Sequence, residues 1–322
     1  MNIHKTLLTP LLSISLLLGA GTAQAATWCE SGKPVKFAGL NWESAMLLTD
    51  LMQFVLAKGY DCKVDALPGN SISMENALGS NDIQVFAEEW VGRSKVWSKA
   101  EAAGKVVGVG APVVGAVEGW YVPRYVIEGD ASRNIEAKAP NLKSIADLAQ
   151  YTALFKDQEE PSKGRFYNCP AGWTCELENS EMLKSYGLEN SFTNFRPGTG
   201  PALDIAVLSS YKRGEPILFY YWSPTPLMGK LDLVKLEEKP GVDKSLTIKV
   251  GVSSVFNEQA PELISVLEKV NLPIDLLNQN LARMTHENIK SPQLALLFLK
   301  EHPEVWHAWV DEAAAKKIEA AL

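Results

Sequence analysis

From residue 35 onward, short β-branched runs alternate with segments of helical period, and that alternation admits few architectures. Residues 35–40 read as a strand, and Asn41, Trp42 and Glu43 turn it into a helix with Leu47, Leu48, Leu51, Met52 and Val55 on one face. Lys58 and Gly59 end that helix, a cation and then a glycine. Strands at 62–67 and 83–87 follow, separated by a short helix ending near Gly79. A polar helix at 93–103 then leads to a β-like run at 106–114. Strand and helix in this order imply a mostly parallel sheet covered on both faces.

The pattern restarts at 119–126 with a strand that crosses into a second lobe. Ser144 and Asp147 form a capping box for a helix through Phe155. A short strand at 192–195, a helix at 201–212 and a buried strand at 216–221 follow, the last running into Trp222, Ser223 and Pro224. One more strand at 246–255 precedes a helical remainder. No repeat or long linker separates the halves, so two short crossovers should join them. The expected fold class is α/β, two doubly wound lobes joined by a hinge. Residues 26–115 and 230–322 make the first lobe, and 116–229 the second.

The N-terminus points to export. Lys5 precedes an apolar run at 7–18, and Ala23-Gln24-Ala25 supplies a small-residue ending, so residues 1–25 read as a cleavable signal peptide. The run is too short for a membrane span. Removing it from 322 residues leaves 297, more than one hydrophobic core usually serves. The four cysteines allow three pairings, and proximity favours Cys169–Cys175 and Cys29–Cys62 in an oxidising compartment.

Cys169 and Cys175 bracket Pro170, Gly172 and Trp173, and the acidic first turn of a helix follows at Glu176. A ring closed there would hold Trp173 at a helix N-terminus. The amides of such a terminus attract an anion, and an indole face attracts a cation, so the pair suits a zwitterion. Trp42, Trp90 and Trp222 each fall just past the C-terminal end of a predicted strand, where ligands bind in open α/β sheets. Trp306 and Trp309 have the helical spacing of core residues, and Trp97 and Trp120 suit either role. A quaternary ammonium has no N–H to donate, so aromatic faces are its natural partners. Each is worth about 0.5–2 kcal/mol, whereas micromolar binding needs about 8 kcal/mol, so several faces must converge.

The segments Asn41-Trp42-Glu43, Glu89-Trp90-Val91, the ring with Gly172-Trp173, and Tyr220-Tyr221-Trp222-Ser223-Pro224 resemble the binding proteins of glycine betaine and choline ABC importers. These are the type II periplasmic binding proteins of the betaine, carnitine and choline class, and the resemblance covers essentially the mature chain. It implies that Trp90, Trp173 and Trp222 box a trimethylammonium group while the amides of Thr174 and Cys175 take a carboxylate. In choline members a tryptophan matching Trp42 serves instead, so this chain mixes features of the two subtypes. It departs from the pattern at Ser94, where some members hold the carboxylate with a histidine. It departs again at Glu118, near an aromatic of choline binders. The resemblance further implies a periplasmic monomer that delivers a quaternary ammonium compound, glycine betaine foremost, to a membrane permease and its ATPase in osmoprotection. Choline, carnitine, proline betaine and a sensor role are the alternatives.

Other classes lack support. The net charge of −7 argues against nucleic acid as a partner. His286, His302 and His307, the histidines of the mature chain, all lie in the helical C-terminal part, and no hydrolase, metal or C-x-x-C redox motif accompanies them. Neither catalysis nor a cofactor is expected.

Overall fold

A computed structural model describes residues 28–228, 230–239 and 246–322; the expected signal peptide at 1–25 lies outside them. Two five-stranded sheets, each flanked by helices, form two lobes. The first sheet is built from β1 (Val35–Gly39), β2 (Val64–Pro68), β3 (Val85–Val91) and β4 (Val106–Val109). The second takes β5 (Val117–Pro123), β6 (Gly164–Tyr167), β7 (Phe192–Phe195), β8 (Leu218–Ser223) and β9 (Leu233–Lys235). The chain then returns as β10 (Thr247–Ser253) to complete the first. The strand orders are β2-β1-β3-β10-β4 and β7-β6-β8-β5-β9. The second sheet thus extends beyond residue 229, because β9 pairs with β5.

Both sheets are mixed, each with four strands running one way and one strand reversed. β1 runs parallel to β2 and β3, but β10 lies antiparallel between β3 and β4. The cause is topological: β10 enters from the second lobe and therefore runs the other way. In the second sheet β5, the incoming crossover strand, is antiparallel to β8 and β9.

The α-helices up to residue 213 are α1 (Glu43–Gly59), α2 (Ser71–Gly79), α3 (Lys95–Ala102), α4 (Arg124–Glu128), α5 (Thr174–Ser185) and α6 (Gly200–Arg213), and α2 and α5 line the space between the lobes. α1 buries Leu47, Leu48, Leu51, Met52 and Val55, the face its periodicity marks. The Ser144–Asp147 capping box is present, but it opens a 3-10 segment, Ile145–Tyr151, and not an α-helix. At the C-terminus the helical stretch breaks into Pro303–Trp306, a 3-10 turn, and Glu312–Ala321, which Asp311 caps anew. One apolar cluster fills the outer part of the first lobe. Another runs from the first lobe's inner face, through Trp42 and Trp173, into the second. Trp97, Trp120, Trp306 and Trp309 are all fully buried in these cores. No helix among the described residues is long and apolar enough to cross a membrane.

Candidate functional site: an aromatic and acidic cleft between the lobes

The C-terminal ends of β1 and β3 and the segment after β6 face one another across the lobes. A cleft of about 500 Å³ opens between them, lined by Trp42, Trp90, Trp173, Trp222, Tyr220 and Phe86. Trp42 precedes α1 as its N-cap and Trp173 precedes α5 in the same way. Trp90 and Trp222 are the penultimate residues of β3 and β8, one position inside the strands rather than past them. The rings touch in a chain. Trp42 and Trp173 have centroids 5.1 Å apart at 59°, Trp173 and Trp222 5.4 Å apart at 77°, and Tyr220 stacks on Trp222 at 5.9 Å.

The indole N–H groups of Trp42, Trp90 and Trp173 are tied down behind their rings. Glu88, wholly buried on β3, accepts from Nε1 of both Trp42 and Trp90 at 2.9 Å. Trp173 Nε1 donates across the cleft to Asn41 Oδ1 at 2.8 Å. Glu88 Oε2 has no hydrogen-bond partner among the described residues. Burial pushes the Glu88 pKa up to about 7, against the hydrogen bonds it accepts.

The ring between Cys169 and Cys175 is closed by a disulfide, and a second bond joins Cys29 to Cys62. A buried amide network fixes the ring to the second sheet. Trp120 Nε1 donates to Asn179 Oδ1 at 2.8 Å, and Asn179 Nδ2 to Asn168 Oδ1 at 2.7 Å. Asn168 Oδ1 in turn takes the Cys169 amide. Gly172 has φ +87°, and a Cβ there would stand 2.5 Å from the Asn70 side chain of the facing lobe, so only glycine fits. Thr174 and Cys175 are the first residues of α5, where helical amides lack intrahelical acceptors. Both line the cleft.

The remaining lining is acidic: Glu75, Glu88, Glu89, Glu118 and Glu178 against the single cation Arg93 among the described lining residues. Glu118, second in β5, forms an ion pair with Arg93 at 2.5 Å and accepts from the Tyr220 hydroxyl. Burial raises its pKa, opposed by Arg93 and Tyr220. Ser94 does not line the cleft. It caps α3, accepting from the amides of Val96 and Trp97, and donates to Glu75 Oε2 from behind. Sequence reasoning missed Glu75, Glu88 and Arg93. Glu88 alone left a trace, as an acid set where an apolar strand ends.

The protein-family comparison matches residues 33–301 to the substrate-binding domain of ABC-type glycine betaine transport systems. The glycine betaine/proline betaine-binding periplasmic protein of Escherichia coli K12 is 23% identical over 265 residues, 74% of this chain and 77% of that protein. The Salmonella typhimurium protein so described is 23% identical over 270 residues, again 74% and 77% of the two chains. Among solved structures, the glycine betaine/L-proline-binding protein of a Borrelia burgdorferi ABC transporter superposes with TM-score 0.75 at 20% identity. It covers 89% of this chain and 100% of that one. An ABC-transporter choline-binding protein in complex with choline gives 0.76 at 16% identity, covering 91% and 99%. These likenesses fix the fold as the two-lobed type II periplasmic binding protein.

Proposed function

The chain belongs to the family of substrate-binding domains of ABC-type glycine betaine transport systems, and from that premise we propose that its cleft captures a quaternary ammonium compound, glycine betaine first, for import. The reading rests on one observation: four indoles from four separate segments, with Tyr220, line one cleft. The methylated nitrogen sits against the faces of Trp42, Trp90, Trp173 and Trp222, and its charge interacts with their quadrupoles. A ligand carboxylate lies at the start of α5, where the Thr174 and Cys175 amides and the helix dipole favour an anion. Glu118 and Ser94 act through the cation Arg93 and through Glu75.

The two lobes, the second of which takes in β5 to β9, close on the ligand as a hinge, and closure is favoured by contacts made only then. Contacts that bridge the lobes across the cleft include Trp173 to Asn41, Thr174 to Glu75, and Arg93 to Glu118. The ligand is carried unchanged to a membrane permease and its ATPase, without catalysis or cofactor. The mature monomer works in the periplasm once residues 1–25 are removed.

Calorimetric titration with glycine betaine, choline, carnitine and proline betaine tests the reading. At least one should bind with micromolar or tighter affinity, and Trp173→Ala or Trp222→Ala should weaken that ligand about 30-fold or more while circular dichroism stays unchanged. Affinity that stays within about threefold of wild type in either variant would sink the aromatic box.

A further inference from the structure

The start of α5 does not present a bare anion site. Glu75, on α2 of the opposite lobe, reaches it: Thr174 Oγ1 donates to Glu75 Oε1 at 3.3 Å, and Ser94 holds the other carboxyl oxygen. Glu75 is 2% exposed and lines the cleft with Thr174 and Cys175. A ligand carboxylate brought to those amides therefore meets a protein carboxyl group at close range.

Resting on the quaternary ammonium reading, we propose that Glu75 makes recognition of a carboxylate-bearing ligand conditional on a proton. Protonated, its carboxyl donates a hydrogen bond to the ligand carboxylate seated at the start of α5. Ionised, it repels that carboxylate and leaves the cleft to cations without one, such as choline.

The charges around Glu75 favour the neutral form near neutrality. Burial is the largest influence and pushes its pKa up to about 7, against the hydroxyls of Ser94 and Thr174 and the Trp97 amide of α3. From β3 it faces Glu89, which burial first, then Glu75 and Glu101 of α3, hold well above the usual carboxylate range. Each of the two carboxyl groups thus disfavours ionisation of the other. Arg93 is committed to Glu118, with Glu178 of α5 3.8 Å away. Lys249 of β10 lies over Gly108. Among the described residues, no cation is therefore placed to hold Glu75 ionised.

The test is isothermal titration of glycine betaine and of choline into the mature protein and its Glu75→Gln variant, at pH 6 and pH 8.5. With one proton titrating near 7, the wild-type Kd for glycine betaine should rise about 30-fold across that interval, because only the protonated fraction binds. The Kd for choline should not rise. Glutamine keeps an N–H donor and cannot ionise, so the variant should retain the pH 6 affinity for glycine betaine and vary less than about threefold. A flat wild-type response, or an undiminished pH effect in the variant, overturns the role of Glu75. Absence of binding by either ligand at both pH values instead removes the quaternary ammonium reading itself.

Discussion

At the scale of the residue, the cleft depends on what stands behind the aromatic faces. An indole offers its face to a cation only while its edge is held elsewhere, and Glu88 holds two edges at once. Glu88→Ala would leave the N–H groups of Trp42 and Trp90 without that acceptor in a buried setting, at about 1–3 kcal/mol each. The expected result is ligand affinity reduced about tenfold or more, with Glu88→Gln, which keeps an amide oxygen as acceptor, losing far less. Calorimetry on both variants checks this, and equal losses would show that the oxygen does not set the rings. Trp42, Trp90 and Trp222 were readable as candidates because they lie near strand ends, and Trp173 because it precedes a helix. Glu88 was not, because a buried acid reads as a strand-end surface residue until its partners are known.

At the scale of the element, the two disulfides have different consequences. The Cys169–Cys175 bond spans 6 positions and closes the loop that carries Trp173 into α5. By loop-closure entropy its removal costs about 2 kcal/mol, and it frees the Thr174 and Cys175 amides. The Cys29–Cys62 bond spans 33 positions, and Cys62 packs in the outer core of the first lobe, on the side away from the cleft. Its removal costs about 4 kcal/mol by the same reasoning. Cys169→Ser with Cys175→Ser should thus lower ligand affinity about tenfold with a modest loss of thermal stability. Cys29→Ser with Cys62→Ser should do the reverse, losing more stability and no affinity. Paired melting curves and titrations distinguish the two, and an unaltered affinity in the first variant would contradict the role given to the ring. Pairing by proximity was available from the spacing. The amide network through Asn168 and Asn179 was not, since its members come from separate elements.

At the scale of the whole molecule, burying carboxyl groups makes the unliganded protein lose stability as pH rises toward neutrality. Burial pushes Glu75, Glu88 and Asp204 each up to about 7, while unfolded carboxyl groups titrate near 4–4.5. Between these values the folded protein binds more protons than the unfolded chain, so stability falls as pH rises from about 4.5 to 7 and then levels off. Glu88 alone accounts for up to about 3 kcal/mol of that fall. Asp157 has the opposite sign. Arg165 holds it well below the carboxylate range, so its contribution is present at neutral pH and is lost only in strong acid. The unliganded protein should therefore melt at least about 3 °C higher at pH 5.5 than at pH 8.5, with a smaller difference in Glu88→Gln. Calorimetric melting at the two pH values decides it, and a higher melting point at pH 8.5 would refute the assignment.

Strand–helix alternation, a restart at Gly119 and tryptophans near strand ends were legible in the chain alone, because local periodicity and turn chemistry act over a few residues. The same local signals favoured parallel sheets, and β10 and β5 run antiparallel because a crossover between lobes sets their direction. Which side chains meet was decided only by tertiary structure. Glu75 reaches the start of α5 from 99 positions away, and Asn41 meets Trp173 from 132. Contacts between lobes depend on how two separately folded sheets face each other, and no local pattern encodes that.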